Sequence, residues 1–110
     1  MMLKAMKCKP CEGGVLPMKK AQASKYLKGL DGWILAPSSN SIRRKFSFAN
    51  FKEALDFINK VGTISEKEGH HPDIYLHSWN KVDIKLYTHA IGGLSINDFV
   101  VAAKIDAIIG

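Results

Sequence analysis

The chain has 110 residues, a mass of 12.2 kDa and a formal net charge of +6 at pH 7. This length fits one domain, and a hydrophobic content of 46% is enough for a core, which excludes an intrinsically disordered protein. The longest uncharged run, 86–97, has 12 residues and is shorter than the roughly 20 residues of a membrane span. Because the N terminus lacks the apolar stretch of a signal peptide, we expect a cytoplasmic protein with no membrane partner.

The positive charge is concentrated near the N terminus. Residues 1–28 carry seven lysines and one acid, whereas residues 29–110 carry nine basic and nine acidic residues. In the balanced part only Arg43, Arg44 and Lys45 cluster, and strand alternation would turn Arg44 to the opposite face. A nucleic-acid interface combines a basic face with aromatic residues or a reading helix. We therefore predict that nucleic acid is not a partner.

Two cysteines, Cys8 and Cys11, form a Cys-x-x-Cys motif near the N terminus. A structural zinc site needs four ligands, and the sequence has no second cysteine pair to supply them. A thioredoxin-like motif should follow a strand and begin a helix, which the surrounding Pro10 and Gly13-Gly14 disfavour. We predict reduced thiols on an irregular lead-in, 1–16, followed by a single domain, 17–110, without a metal site.

The first half of the domain predicts two helices flanking a hairpin. Apolar residues recur at helical spacing between positions 19 and 30. The apolar run 33–36, the turn-forming sequence 37–40 and the alternating run from Ile42 to Phe48 predict two paired strands. Asn50 followed by Glu53 predicts the start of a long helix that ends at Gly69. We expect its buried face to consist of Phe51, Ala54, Leu55, Ile58 and Val61.

The second half predicts another hairpin and a last helix. Residues 74–79 and 82–87 alternate as two strands joined by a turn at Asn80-Lys81. Ser95 is predicted to cap a helix whose buried stripe is Val101, Ile105 and Ile108. The element order is α-β-β-α-β-β-α. This order indicates an α+β fold in which helices cover one face of a four-stranded antiparallel sheet.

Histidines and an acid stand at the ends of these elements. His70 and His71 follow the long helix and precede Pro72, whose ring restricts the local backbone. His89 follows the last strand, and Asp98 lies in the first turn of the last helix. Such positions can converge at one rim of a small sheet. Because imidazole titrates near neutral pH, a histidine pair can both accept and donate protons there.

Structural explanations for the same residues stay open at this point. Paired histidines after a helix are often surface residues near the helix dipole, and Asp98 suits a helix start without any chemistry. His77 shares a strand face with Tyr75 and Trp79, which favours a structural role for it. Zinc is disfavoured because His70 and its neighbour His71 point apart in an extended chain. Spacing alone therefore leaves the function undecided.

A longer pattern resembles the pterin-4a-carbinolamine dehydratases. It comprises the run 66–72, EKEGHHP, then Trp79, His89 and Asp98, within the sequence EGHHPDIYLHSWNKVDIKLYTHAIGGLSINDF. The similarity extends to Gly32-Trp33 and to the stretch 46–57, and some members have a similar Cys-x-x-Cys lead-in. Departures from animal members are small and concern Ile74 and Ala90, where those members carry a tryptophan and an acid.

The resemblance implies a fold and a reaction. The family's fold has the element order derived above, and its members are homodimers or homotetramers. The implied reaction is dehydration of 4a-hydroxytetrahydrobiopterin, or a similar pterin, to quinonoid dihydropterin by histidine acid–base chemistry, with no cofactor or metal. It regenerates the cofactor of aromatic amino acid hydroxylases.

The motif also implies roles for individual residues. His70, His71 and His89 correspond to the active-site histidines, with His71 as the principal general acid/base. Asp98 would orient a histidine or contact the substrate. Three further motif positions correspond to a polar support, a residue that shapes the site and a pocket wall: Glu66, Pro72 and Trp79.

Two alternatives from other classes remain. One is a non-enzymatic module that recruits a protein partner through its sheet edge or helices. The other is an enzyme or binding protein for a different pterin. The first predicts partner binding that survives His71→Ala, and the second predicts pterin binding with slow dehydration of the biopterin carbinolamine.

Overall fold

Four strands and three helices make up the fold, in a computed structural model that describes residues 3–9 and 15–109. The helices are α1 (Lys20–Leu27), α2 (Phe51–Glu68) and α3 (Ile96–Ile109), and the strands are β1 (Ile34–Leu35), β2 (Ile42–Ser47), β3 (Asp73–His77) and β4 (Lys81–Leu86). Short 3₁₀ turns occupy Leu3–Ala5 and His89–Ile91. The predicted order α-β-β-α-β-β-α is confirmed. Within the described ranges, no helix has the length and apolar character needed to cross a membrane.

The strands form one antiparallel sheet in the order β1-β2-β4-β3, with the helices on one face. On that face the side chains of β2 and β4 are buried, among them Ile42, Phe46 and Ile84. Arg44 points to the same face, where its Nη1 donates a 2.7 Å hydrogen bond to Asp106 of α3. Its neighbours Arg43 and Lys45 are exposed, so the predicted separation of this basic cluster is confirmed.

Helix α2 begins and ends where the sequence predicts. Asn50 caps it by accepting a 2.8 Å hydrogen bond from the Glu53 amide. Gly69 ends it with a left-handed φ of 66°, which glycine adopts without strain.

The predicted buried face of α2 was partly wrong. Ala54, Phe57 and Val61 are buried, but Phe51 and Leu55 are 50% and 39% exposed. Phe57 packs against Phe46 and Phe48 of the sheet side, with ring centroids 4.7 and 4.9 Å apart. This aromatic cluster rotates the helix toward Phe57 and leaves an apolar strip on its outer side.

The β3–β4 connection also differs from its prediction. Strand β3 ends at His77, which pairs with Lys81, so the three residues between them form the turn. Ser78 and Trp79 have left-handed φ values of 51° and 57°. Trp79 is therefore part of the turn and is 60% exposed, not the last residue of a strand.

Helix α3 has a different cap from the one predicted. The Ser95 hydroxyl bonds to the Thr88 hydroxyl, while Asp98 Oδ2 accepts a 3.0 Å hydrogen bond from the Ser95 amide. Val101 and Ile105 are fully buried as predicted, but Ile108 is 36% exposed because the last turn of α3 extends past the buried layer.

Candidate active site

A cleft of about 480 Å³ opens between the C-terminal end of α2 and the connection from β4 to α3. Its walls include all three predicted catalytic histidines, His70, His71 and His89, together with Tyr87, Asn97 and Cys8. A cleft of this volume can hold a small-molecule ligand. The structure therefore brings the three histidines together at one rim, as their positions at the ends of the elements predict.

The end of α2 places His70 and His71 at the cleft. Gly69 turns the chain out of the helix, and the His70 amide still donates a 3.2 Å hydrogen bond back to the Ser65 carbonyl. The following Pro72 starts the extended path into β3. Two adjacent imidazoles are thus held at a fixed point of the backbone, each with a different carboxylate partner.

His70 is paired with a buried acid. Its Nε2 donates a 2.6 Å hydrogen bond to Oδ1 of Asp98, whose side chain is fully buried. The other carboxylate oxygen, Oδ2, accepts hydrogen bonds from the Thr88 hydroxyl at 2.8 Å and the Ser95 amide at 3.0 Å. With three donors around it, the carboxylate has one orientation, and it fixes the His70 ring in turn.

His71 is paired with an exposed acid. Its Nε2 lies 2.5 Å from Oε2 of Glu66, one turn back on α2. The two side chains are 60% and 79% exposed, whereas the His70 side chain is only 11% exposed. Solvent therefore reaches the His71 pair and is largely kept from the His70 pair.

His89 lies on a short closed loop. The Thr88 amide donates a 2.8 Å hydrogen bond to the Gly93 carbonyl, which closes the loop. The His89 ring packs on Tyr87 with centroids 4.1 Å apart. Pro17 lies against the loop so closely that a Cβ at Gly93 would be 2.5 Å from the Pro17 Cβ. Only glycine fits at position 93 without a shift of the loop.

The ring atoms facing away from the carboxylates define the chemistry. His70 and His71 each use Nε2 for a carboxylate, which leaves Nδ1 as the atom for a substrate. With the proton held on Nε2, the neutral ring is a base at Nδ1, and the charged ring is an acid at the same atom. The cleft can therefore take up one proton and deliver another.

Four predicted site residues are not part of the cleft wall. Glu66 and Asp98 act behind it, through their hydrogen bonds to His71 and His70, and the other two are Pro72 and Trp79. Pro72 follows His71 but is not part of the wall, and Trp79 lies in the turn at the far end of β3. Their roles stay predictions. His77 stacks on Tyr75 with centroids 4.8 Å apart, on the sheet. Its Nε2 is 3.2 Å from Asp83, at ion-pair distance but without hydrogen-bond geometry.

Several cleft residues were not predicted. Glu68 Oε1 accepts a 2.9 Å hydrogen bond from the Cys8 amide, and Asn97 exchanges two hydrogen bonds with the Lys9 backbone. These contacts join residues 60 and 88 positions apart, which no local pattern reveals. Burial, with the nearby carboxylates of Glu68 and Asp98, raises the pKa of Cys8 to about 11. The thiol is therefore protonated at neutral pH, and its motif partner Cys11 lies outside the described residues.

Comparisons with known proteins agree on one family. The family model described as pterin 4 alpha carbinolamine dehydratase matches residues 16–108. A Nitrosomonas eutropha protein with the provisional name pterin-4-alpha-carbinolamine dehydratase is 49% identical over 104 residues, covering 94% of this chain and 89% of its own. One of the same provisional name from Nitrosomonas europaea is 50% identical over 102 residues, covering 91% and 87%.

A solved structure extends this agreement to three dimensions. The crystal structure of a transcriptional coactivator/pterin dehydratase from Brucella melitensis has a TM-score of 0.80 to this chain at 32% sequence identity. The alignment covers 86% of this chain and 99% of that one. The fold, as well as the sequence, is therefore shared over nearly the whole domain.

Proposed function

Because the chain belongs to the pterin 4 alpha carbinolamine dehydratase family, we propose that it dehydrates 4a-hydroxytetrahydrobiopterin, or a close pterin, to quinonoid dihydropterin and water. The observation that carries the proposal is that three histidines line one cleft, and two of them have a carboxylate on Nε2. In this role the enzyme takes part in recycling a tetrahydropterin cofactor.

The reaction requires two proton movements. A base removes a proton from a ring nitrogen of the pterin, and the electron pair left behind expels the 4a-hydroxyl group. An acid protonates that hydroxyl as the carbon–oxygen bond breaks, so that water leaves. No electron is gained or lost overall, and acid–base catalysis completes the reaction without a cofactor or metal.

His71 is the principal general acid/base in this proposal. Its imidazole is 60% exposed, so it can exchange protons with solvent between turnovers. Glu66 supports it by holding the proton on Nε2, which leaves Nδ1 for the substrate.

His70 and His89 bind the pterin and share proton transfer. Asp98 orients His70 from a fully buried position, whereas the acid that holds His71 is exposed. His89 is fixed by its contact with Tyr87 and by the closed loop on which it lies. A flat ligand in the cleft would be bounded by all three histidines.

Stopped-flow dehydration of 4a-hydroxytetrahydropterin tests the proposal. Wild type should exceed the spontaneous rate, and His71→Ala and His89→Ala should each lose about 10²-fold or more in kcat/KM. His77→Ala is the matched control, because His77 also faces a carboxylate, Asp83, but lies outside the cleft. Dehydration no faster than the spontaneous reaction would refute the proposal, and so would equal losses in all three variants.

We also propose that copies of the chain associate as a homodimer or homotetramer through the outer face of α2. Phe51 and Leu55 are 50% and 39% exposed there, and association would bury this apolar strip. Light scattering should show a smaller particle for Leu55→Lys than for wild type, with Lys60→Ala on the same helix as control. An unchanged mass for Leu55→Lys would place the interface elsewhere, for instance at the sheet edge.

A further inference from the structure

We propose that the N-terminal segment, residues 3–9, forms one wall of the substrate cleft, and that Glu68 and Asn97 are positioning residues which hold it there. The inference rests on the proposed function, since it concerns the same cleft and the same flat heterocyclic substrate. It adds a part of the site that lies before residue 16, where the family match begins.

Two clamps hold the segment by its backbone. The Cys8 amide donates a 2.9 Å hydrogen bond to Glu68 Oε1 at the end of α2. Asn97, at the start of α3, accepts a 3.0 Å hydrogen bond from the Lys9 amide and donates a 2.6 Å hydrogen bond to the Lys9 carbonyl. Both side chains are nearly out of contact with solvent, with exposures of 4% for Glu68 and 5% for the Asn97 residue. Buried polar groups satisfied in this way favour one position of the segment.

A second set of contacts anchors the segment away from the cleft. Leu3 is 9% exposed and belongs to the hydrophobic core. Lys104 of α3 donates a 3.0 Å hydrogen bond to the Lys4 carbonyl, and its Nζ also lies 3.6 Å from Glu68 Oε2. The same Glu68 carboxylate therefore connects the segment to both α2 and α3. Removing it loosens the wall without touching any of the three histidines.

The segment presents a protonated thiol and a lysine to the cleft. Cys8 and Lys9 line the cleft, and the Cys8 thiol lies 3.6 Å from the Asn97 carbonyl oxygen. Because burial and nearby carboxylates raise the pKa of Cys8 to about 11, the Cys8 thiol does not act as a competing base or nucleophile at neutral pH. The acid–base groups are on the other walls. The segment therefore contributes shape, and we expect it to govern substrate affinity more than the chemical step.

Kinetics separate this role from catalysis. Asn97→Ala and Glu68→Ala should raise KM about 10-fold while kcat changes by less than about threefold, since only binding is lost. Asn59→Ala, an exposed asparagine on α2, is the matched control. Cys8→Phe leaves both clamps in place and should raise KM because the larger side chain fills the cleft. If kcat falls with KM unchanged in these variants, or if Cys8→Phe behaves as wild type, the wall assignment is wrong.

Cysteine labelling tests the wall directly, independently of turnover. In a Cys11→Ser background, iodoacetamide at pH 8 should label Cys8 slowly, and Glu68→Ala should accelerate labelling about 10-fold or more. A saturating stable 7,8-dihydropterin should slow labelling of Cys8 further, because the ligand covers it. Calorimetry on the same samples measures pterin binding. If the pterin binds without slowing the labelling of Cys8, only the assignment of the wall is wrong. If the protein neither binds the pterin nor turns it over, the proposed function and this inference are both wrong.

Discussion

The two adjacent histidines of the cleft are held in opposite environments. The His70–Asp98 pair is buried, and its acid accepts two further hydrogen bonds, from Thr88 and Ser95. The His71–Glu66 pair is exposed, and its acid is 79% accessible. One peptide bond therefore separates a buried imidazole from an exposed one. Asp98 holds the His70 ring in the interior, and Glu66 holds the His71 ring at the surface.

This difference in burial shows how one short motif can supply two functions. A buried, fully bonded carboxylate fixes a ring but costs desolvation, so its loss affects folding as well as activity. An exposed pair contributes little to stability, and solvent can replace either partner. We therefore expect mutations of the two carboxylates to differ in the size of their effects and in whether they affect stability.

The largest effect is expected for Asp98→Asn. The asparagine amide would face at least one of the three donors that now surround the carboxylate, which costs about 1–3 kcal/mol of unfolding free energy. It would also favour the other tautomer of His70 and so remove the base at Nδ1, lowering kcat/KM by about 10²-fold or more. Urea unfolding and stopped-flow kinetics measure the two effects. Asp83→Asn, beside His77, is the control, and equal losses there would contradict the expectation.

A smaller effect is expected for Glu66→Gln. The exposed pair should contribute less than about 1 kcal/mol to stability, and water can take the place of the carboxylate at His71. We expect an unchanged thermal midpoint and a loss of about 10-fold or less in kcat/KM. A loss as large as that of Asp98→Asn would show that burial does not distinguish the pairs.

Gly93→Ala should disturb the buried pair from a distance. The added Cβ would collide with Pro17 and shift the loop that carries Thr88 and His89. We expect a loss of about 1–3 kcal/mol in unfolding free energy and a fall in kcat of several-fold. Gly62→Ala, in α2, is the control, because a Cβ there meets nothing within 4 Å and alanine favours a helix. It should unfold at the same temperature as wild type or higher.

A pH-dependent effect is expected for Glu68, a third acid near the cleft. The Cys8 amide and Lys104 lower the pKa of Glu68 below 4.5. Its stabilising contribution is therefore complete above pH 4.5 and is lost as the pH falls through the lower, folded-state pKa. The difference in unfolding free energy between wild type and Glu68→Gln should be largest near neutral pH and shrink in acid. In an Asn97→Ala background, the pH-dependent part of this difference in unfolding free energy should be smaller. A difference that grows as the pH falls would contradict the prediction.

Much of the fold follows from local sequence patterns. The caps at Asn50 and Gly69 and the alternating runs of β2 and β4 depend on neighbouring residues, so they predict the elements and their order. The outer face of α2 was missed because the orientation of the helix depends on how Phe57 packs against Phe46 and Phe48 of the sheet side, and helical periodicity alone does not reveal that contact.

The candidate site was also only partly predictable from the sequence. The convergence of His70, His71 and His89 was predictable because each stands at the end of an element. The partners of these histidines were not fully predictable, since Thr88 and the N-terminal segment reach the cleft only through tertiary packing. The motif resemblance named the acids Glu66 and Asp98, but only the three-dimensional arrangement shows that one is exposed and the other buried.

The attachment of the N-terminal segment has a consequence for biosynthesis. Its clamp to Asn97 spans 88 positions, and its contact with Lys104 spans 100. During translation the segment leaves the ribosome before α3 has been made, so its binding place does not yet exist. Contacts between such distant positions form late, because closing a long loop costs entropy before any contact repays it. We expect the cleft to be completed only after α3 has emerged and packed, so that a nascent chain lacking α3 has no finished active site.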